Sequence, residues 1–343
     1  MLNWVPCELH AHTRESDGDF TVPELLHAAR DCGLSCIAMT DHNTASGCLQ
    51  VTPELEAETV KVIPGIEWTT FFGHLVVLGT KKFVDWRDAV PDNIDEKLRE
   101  IRDAGGVAGV AHAYSIGSPI CTGCKWDYHV RDWNLVGYIE IWSDLMPPIQ
   151  CGNRRALSLW TGLLDQGYHL ACGNGRDWHG PDTSGEPDAA TYLGIVPDSG
   201  PDGIFSSEKA EVTPEGALEA LRAGRSYVSM APEIDFRAAE SSGRQVSLGS
   251  TVSPGAEFSA SVRLDSRREI WGRHTVTLRS LRLVGKSGKV LREVPLGAEG
   301  GTFALGKAKG SHWVRAEVIG EMNGILCQLA ITSPIYIEEK PLA

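Results

Sequence analysis

An α/β domain followed by a small antiparallel β domain is the fold class this 343-residue sequence predicts. Two observations carry it. Over the first two thirds, short apolar runs alternate with helical patterns, which implies βαβ units and hence a parallel sheet or barrel. From Ala231-Pro232 onward no helical pattern remains, and alternating strands with Gly-rich connectors take over. The length agrees, since ~150 residues per domain gives about two domains. The expected division is residues 1–230 and residues 231–343.

Each element has a local reason. Residues 7–13 read as the first strand. Thr21-Val22-Pro23-Glu24 has the form of a capping box with Pro in the first turn, and Gly33 is the stop. Residues 35–40 (SCIAMT) form the second strand, and 60–63 and 75–78 two more. Asp92 is the expected cap of the helix DNIDEKLREIRDA, which ends at Gly105-Gly106. Strands follow at 107–111 and 136–141, a helix at 153–165, and a strand at 169–172. Thr213-Pro214-Glu215 opens a helix that ends at Gly224, and 226–230 is strand-like. In the second domain, strands at 276–284, 289–294, 312–319 and 325–337 suggest a sandwich.

Composition narrows the function. Asp plus Glu is 45 against 32 Lys plus Arg, a net charge of −13. A chain this acidic lacks the electrostatic footprint of a general nucleic-acid binder, but carboxylates are natural ligands of hard cations. No apolar run approaches the ~18–20 residues of a membrane span. The start, MLNWVPCELHAHT, has neither the basic nor the apolar region of a secretory leader. Nine scattered Cys fit reduced thiols better than a disulfide framework. Together these predict a cytoplasmic protein.

The candidate chemistry lies at strand ends. His10-Ala11-His12 is placed on the first strand, where residues i and i+2 share a face, so both imidazoles can reach one ion. Asp17 follows in the next loop, and Asp41-His42 ends the second strand. Glu67 follows the third strand, His74 opens the next, and His112 ends the one after it. Asp177-Trp178-His179 follows the strand through Cys172. In parallel barrels that face collects catalytic residues. Any one of these residues alone reads more readily as a core or surface residue; nearly all of them at one end of successive strands read as a metal centre.

His10-x-His12, Ser16-Asp17-Gly18, Thr40-Asp41-His42, Gly65-Ile66-Glu67, His112 and Asp177-x-His179 resemble, in order, the PHP (polymerase and histidinol phosphatase) superfamily. Within it, the chain is most similar to the CehA/McbA-type metallohydrolases. That likeness rests on Gly73-His74, on Ile139-Glu140-Ile141-Trp142, on Ala223 to Ser229, and on the tail motifs around Trp313 to Glu317 and Thr332 to Tyr336. The resemblance implies a distorted (βα)7 PHP-type barrel with a C-terminal antiparallel β-sandwich-like domain. It also implies that His10, His12, Glu67 and Asp177 hold one metal. Glu67 would bridge to a second, bound by His112 and His74. Asp17, His42 and His179 would hold a third, with Asp177 bridging. Nine candidates exceed the ~3–4 protein ligands of one open catalytic site, and six imidazoles favour Zn, Mn or Fe over Mg or Ca. Two or three divalent ions are therefore expected.

Two positions depart from the family pattern. Ala113 stands after His112 where Pro is common, and Arg176 precedes Asp177 where Ser is common. Arg176 is thus a candidate contact for an anionic substrate, with a structural salt bridge as the alternative. Asp177 or His179 would manage the proton of the leaving group. Asp41 and Glu140 are read as orienting neighbouring ligands. Cys121-Thr122-Gly123-Cys124, with His129 nearby, resembles half a zinc knuckle, and Trp126, Tyr128 and Trp133 either line a pocket or pack their loop. His27, His129, His169, His274 and His312 read as structural or surface residues. The expected activity is a metal-dependent phosphoesterase on a small-molecule ester, using a metal-bridged hydroxide as nucleophile. The runner-up is a carboxyl-ester or carbamate hydrolase. The alternative from another class is a catalytically silent metal-containing binding module. The β domain is read as a cap or an oligomerisation surface, which is compatible with a homo-oligomer.

Overall fold

The computed structural model describes residues 2–116, 123–196, 212–265 and 273–338. Cys121 and Thr122 of the C-x-x-C motif lie outside them. The chain begins β1 (Asn3–Glu8), α1 (Val22–Asp31), β2 (Cys36–Met39), α2 (Pro53–Glu58), β3 (Lys61–Thr70) and β4 (Gly73–Leu78). It continues α3 (Ile94–Asp103), β5 (Val107–Val110), β6 (Tyr138–Ser143), α4 (Cys151–Asp165) and β7 (Ala171–Gly175). Then come β8 (Ala190–Ile195), α5 (Pro214–Arg222) and β9 (Ser226–Ser229).

Local chemistry accounts for the helix ends. At α1 the capping box forms as expected: Thr21 N donates to Glu24 Oε2 at 2.7 Å, and Glu24 N donates to Thr21 Oγ1 at 3.4 Å. Gly33, at φ +73°, takes the left-handed turn after the helix. The N-cap of α3 is Asn93, one residue later than expected, and it makes no side-chain cap. The Asp92 carboxylate is engaged instead by His129 Nδ1 at 3.1 Å. α1 buries Val22, Leu25, Leu26 and Ala29, and α3 buries Ile94, Leu98 and Ile101. That is the i, i+3, i+4 stripe of a helix packed on a sheet.

β1, β2 and β3 are parallel neighbours, as are β5, β6 and β7. β4 runs antiparallel to both β3 and β5, and β8 runs antiparallel to β1 and β9. The arrangement is therefore mixed, not the parallel sheet or barrel expected from the βαβ units, and five α-helices are present among the described residues. The segments beyond β1 and β7 meet: Ala11 and Trp178 form a parallel bridge, His12 N donates to Trp178 O at 2.9 Å, and Trp178 N donates to His10 O at 3.0 Å.

The rest of the described chain is β10 (Pro232–Ala239), β11 (Gln245–Val246), β12 (Thr251–Val252), β13 (Glu257–Leu264), β14 (Val276–Gly285), β15 (Lys289–Pro295), β16 (Gly301–Lys307), β17 (Trp313–Met322), β18 (Ile325–Thr332) and β19 (Ile335–Ile337). The run expected at 325–337 is split at Ser333-Pro334, since Pro lacks the N–H a ladder needs. β11, β10, β13 and β16 make one antiparallel sheet. β15, β14, β17 and β18 belong to the large sheet, because β18 pairs with β9. The two parts are braced by Arg315, which is buried, packs on Trp160 and Trp313, and reaches Thr161 of α4.

Candidate metal centre

The strand ends aim the side chains. β1 stops at Glu8, so His10 and His12 lie just past the strand and not on it. The chain there is still held by the Ala11–Trp178 bridge, and both rings reach the same side, their centroids 5.1 Å apart. Glu67 lies inside β3, which is longer than expected, and His42 forms an isolated parallel bridge with it. His74 is the second residue of β4, and His112 comes two residues after β5. Asp41 shapes the loop that carries Asp17. Its carboxylate accepts from Thr13 N at 2.7 Å, Thr13 Oγ1 at 2.9 Å and Ser16 Oγ at 2.8 Å. His112 and Asp177 adopt positive φ, +27° and +56°. Such backbone is costly for side chains with a Cβ and persists where the surroundings over-determine it.

All nine expected ligands converge. Their donor atoms fall into three groups, each within 4.8 Å: His10, His12, Glu67 and Asp177; Glu67, His74 and His112; and His12, Asp17, His42 and His179. Glu67 belongs to two groups. In the third group His12 stands where Asp177 was expected, although Asp177 Oδ1 is 3.6 Å from His179 Nδ1. Glu67 Oε1 is 3.3 Å from His10 Nε2, 3.0 Å from His74 Nδ1 and 3.2 Å from His112 Nε2. Its Oε2 is 2.6 Å from His42 Nδ1 and 3.6 Å from His12 Nε2.

This donor set fits divalent cations. Glu140 Oε1 takes His10 Nδ1 at 2.9 Å, which leaves the His10 Nε2 lone pair facing Glu67 and Asp177 oxygens, each 3.3 Å away. The Asp177 carbonyl likewise accepts from His179 Nδ1 at 2.8 Å, so Nε2 is the free donor atom, 3.2 Å from Asp17. His10 Nε2, His12 Nδ1, Glu67 Oε2 and His112 Nδ1 are buried without a hydrogen bond. Buried polar atoms without partners are costly, and a cation between His10 Nε2 and Glu67 Oε2 would relieve both; the Nδ1 atoms of His12 and His112 belong to rings that face Glu67 through Nε2. Without a cation, protons take its place. Burial opposes charging His10, but Glu67, Glu140 and Asp177 raise it well above the ordinary imidazole range. The same balance of burial against Glu67 and Asp177 brings His112 up to about 9. Burial works against Glu67 and Asp177 too, yet the charge on His10 and hydrogen bonds from neighbouring imidazoles hold both well below the carboxylate range.

The remaining candidates divide. Glu140 joins the site as expected, its Oε2 accepting from His112 N at 2.9 Å. Arg176 turns from the centre: its guanidinium is 3.4 Å from Asp188 and 3.9 Å from Asp182, and it stacks 4.5 Å over Trp178. These are the contacts of the salt-bridge alternative. Tyr128 is buried, bonds Thr70 at 2.8 Å and packs on Trp126 and Phe72, so it holds its loop against the β3–β4 hairpin. A cavity of about 390 Å³ is lined by Tyr114, Ser115, Ser143, Asn153 and Arg155 among others, and by none of the nine candidate ligands. Sequence reasoning missed Glu8, which sits under the ligands; only its place two residues before His10 marked it.

Residues 8–86 match the model of the PHP domain. An uncharacterized protein of Methanocaldococcus jannaschii is 34% identical over 128 residues, which are 33% of this chain and 69% of that protein. The chain carries a PHP domain. It belongs to one family with the M. jannaschii protein. The 5'-3' exoribonuclease Rnm of Escherichia coli is 34% identical over 65 residues, 18% of this chain, which spans about a fifth (22%) of that enzyme's length. Over nearly the whole chain the fold is similar to a Bacteroides vulgatus crystal structure. That structure is described as a two-domain protein containing a predicted PHP-like metal-dependent phosphoesterase. The likeness has a TM-score of 0.50 and 17% identity over 97% of this chain and 96% of that one. The PHP match begins at Glu8 and includes His10, His12, Asp17, His42, Glu67 and His74; His112, Asp177 and His179 join the group only through the fold.

Proposed function

We propose that this PHP-domain protein is a metal-dependent hydrolase acting on phosphoesters. The observation that carries the reading is the convergence of nine His, Asp and Glu side chains into three contiguous groups, with Glu67 shared between two of them. Contiguous sites suit in-line displacement at a phosphoryl group, whose attacking and leaving oxygens need charge stabilised at two points. The names of the B. vulgatus and E. coli relatives point to the same class of bond.

Divalent ions, when bound, acidify the attacking water and neutralise charge on the phosphoryl oxygens. The chain supplies the rest. His10, His12, Glu67 and Asp177 would hold one ion, His74 and His112 with Glu67 a second, and Asp17, His42 and His179 a third. Glu140 orients His10 and anchors the backbone of His112. His179 is the half-exposed member, its side chain 36% accessible, and it sits at the rim with its Nδ1 proton fixed by the Asp177 carbonyl. Asp17 and Asp177 also reach solvent, their side chains 60% and 32% accessible; Asp177, an ionised carboxylate, would take up the proton of the attacking water and pass it to the leaving oxygen, a role that falls to His179 where it holds no ion. Arg176 acts as a brace that holds the 176–188 segment through Asp188, and so sets Asp177 indirectly.

A panel of a phosphodiester, a phosphomonoester and an aryl carboxyl ester tests this reading on the purified protein. Phosphoester turnover that disappears in His10→Ala and Asp177→Ala is the expected result. Turnover of the carboxyl ester alone would transfer the proposal to the carbamate and carboxyl-ester hydrolases. Full phosphoester turnover in those variants would end it.

A further inference from the structure

Beneath the proposed ligands lies a buried carboxylate that belongs to none of the three groups. Glu8, the last residue of β1, is 2% exposed. Its Oε1 accepts the His10 backbone N–H at 2.8 Å and the Arg176 backbone N–H at 2.9 Å. One oxygen thus ties the segment that carries His10 and His12 to the segment that carries Asp177.

The tie falls where the sheet provides none. β1 pairs with β2 and β8, and among the described residues no strand ladder joins it to β7. Beyond the strands, the Ala11–Trp178 bridge and the bond from Asp19 N to His179 O at 2.6 Å are the backbone links between the two segments among the described residues. Glu8 supplies the acceptor that a neighbouring strand would otherwise present. Between Arg176, held by Glu8, and Trp178, held by His10 and His12, the chain turns through the left-handed conformation at Asp177. Fixing both flanks over-determines that residue, which is what strained backbone requires. The approach is close on the far side as well: a side chain at Gly175 would collide with the Glu140 carboxylate and with Cβ of His10.

We infer that Glu8 is a positioning residue: it sets the separation of His10 and Asp177, and through it the affinity and geometry of the ion those two residues share. The inference rests on the metal reading above, and the experiment separates the two. Metal-free wild type, Glu8→Gln and Glu8→Leu are titrated with Co²⁺, following the visible absorption of the bound ion. Far-UV circular dichroism and thermal melts report folding. Glu8→Gln keeps an acceptor oxygen in the same shape; Glu8→Leu keeps the bulk and loses the acceptor. The expected result is wild-type affinity and spectrum for Glu8→Gln. For Glu8→Leu, Co²⁺ binding should weaken about 10- to 100-fold with an altered spectrum, the usual effect of losing an outer support. A folded Glu8→Leu with wild-type affinity and spectrum overturns the inference. Glu8→Gln that loses Co²⁺ also overturns it, because charge and not acceptance would then be the property that matters. Should Glu8→Leu not fold, Glu8→Ala takes its place in the same titration, with the same expected and overturning results. Wild-type protein that takes up no Co²⁺ overturns the metal reading itself.

Discussion

Replacing Glu67 by Gln removes one negative charge from the point on which five imidazoles converge. Its two oxygens lie between 2.6 and 3.6 Å from nitrogens of His10, His12, His42, His74 and His112. The strength of that field shows in His112, which is brought from 6.5 to about 9 against the cost of burial, with Glu67 the first of the groups that raise it. That rise, to which Asp177 also contributes, corresponds to ~3 kcal/mol, or about two orders of magnitude in a binding constant. A doubly charged ion sharing the same oxygens loses at least as much. Glu67→Gln is therefore expected to weaken the two groups that contain Glu67 by about a hundredfold or more. The group of His12, Asp17, His42 and His179 should keep its ion. Zn²⁺ titration of the metal-free protein against a chromophoric chelator resolves the classes of site. A folded Glu67→Gln protein that binds every ion with wild-type affinity, or loses only the ion at Asp17 and His179, would refute the reasoning.

Two further outcomes are open to measurement. Because His112 titrates near 9 in the metal-free protein, it is protonated at neutral pH and must lose that proton to bind a cation. Apparent metal affinity should thus climb with pH and level off near 9, and calorimetry at pH 7.5 in buffers of different ionisation heat should record protons released; a buffer-independent heat would contradict this. Arg315→Leu leaves the buried carboxylate of Glu317, 2.8 Å from the guanidinium, without its ion pair. Such a loss costs ~3–5 kcal/mol, read as a lower midpoint in urea, and a change below ~1 kcal/mol would show that Glu317 finds water instead.

What could be read from the sequence follows the range of the interactions. The Thr21–Glu24 box and the Gly33 stop involve residues three or so apart, and both form as written. The nine candidate ligands were legible because most of them fall near strand ends or in the loops just past them, and the structure gathers them at one place. Strand ends were less legible. β3 runs on to Thr70 because β4 folds back on it as a hairpin, so Glu67 is inside a strand and not after it. β1 ends at Glu8, whose carboxylate accepts the His10 and Arg176 backbone N–H groups. Glu8 itself was invisible because its second partner, Arg176, is at the other end of the domain. Asp92 lost its cap role to Asn93 because His129, far along the chain, engages its carboxylate. Arg176 showed an unusual residue at an informative position, but the direction of its side chain depends on Asp188 and Asp182, whose placement no local pattern reveals. The pairing of β9 with β18 is likewise a product of long-range packing.

Metal content and reconstitution decide whether this site works through bound metal. Purified protein is analysed for metals by inductively coupled plasma mass spectrometry, stripped with a chelator, assayed on a phosphodiester, and assayed again after Zn²⁺, Mn²⁺ or Fe²⁺ is restored. The account predicts two or three ions per chain, turnover lost on stripping, and turnover recovered with one or more of these metals. Phosphodiester turnover that persists undiminished in fully stripped protein would contradict it.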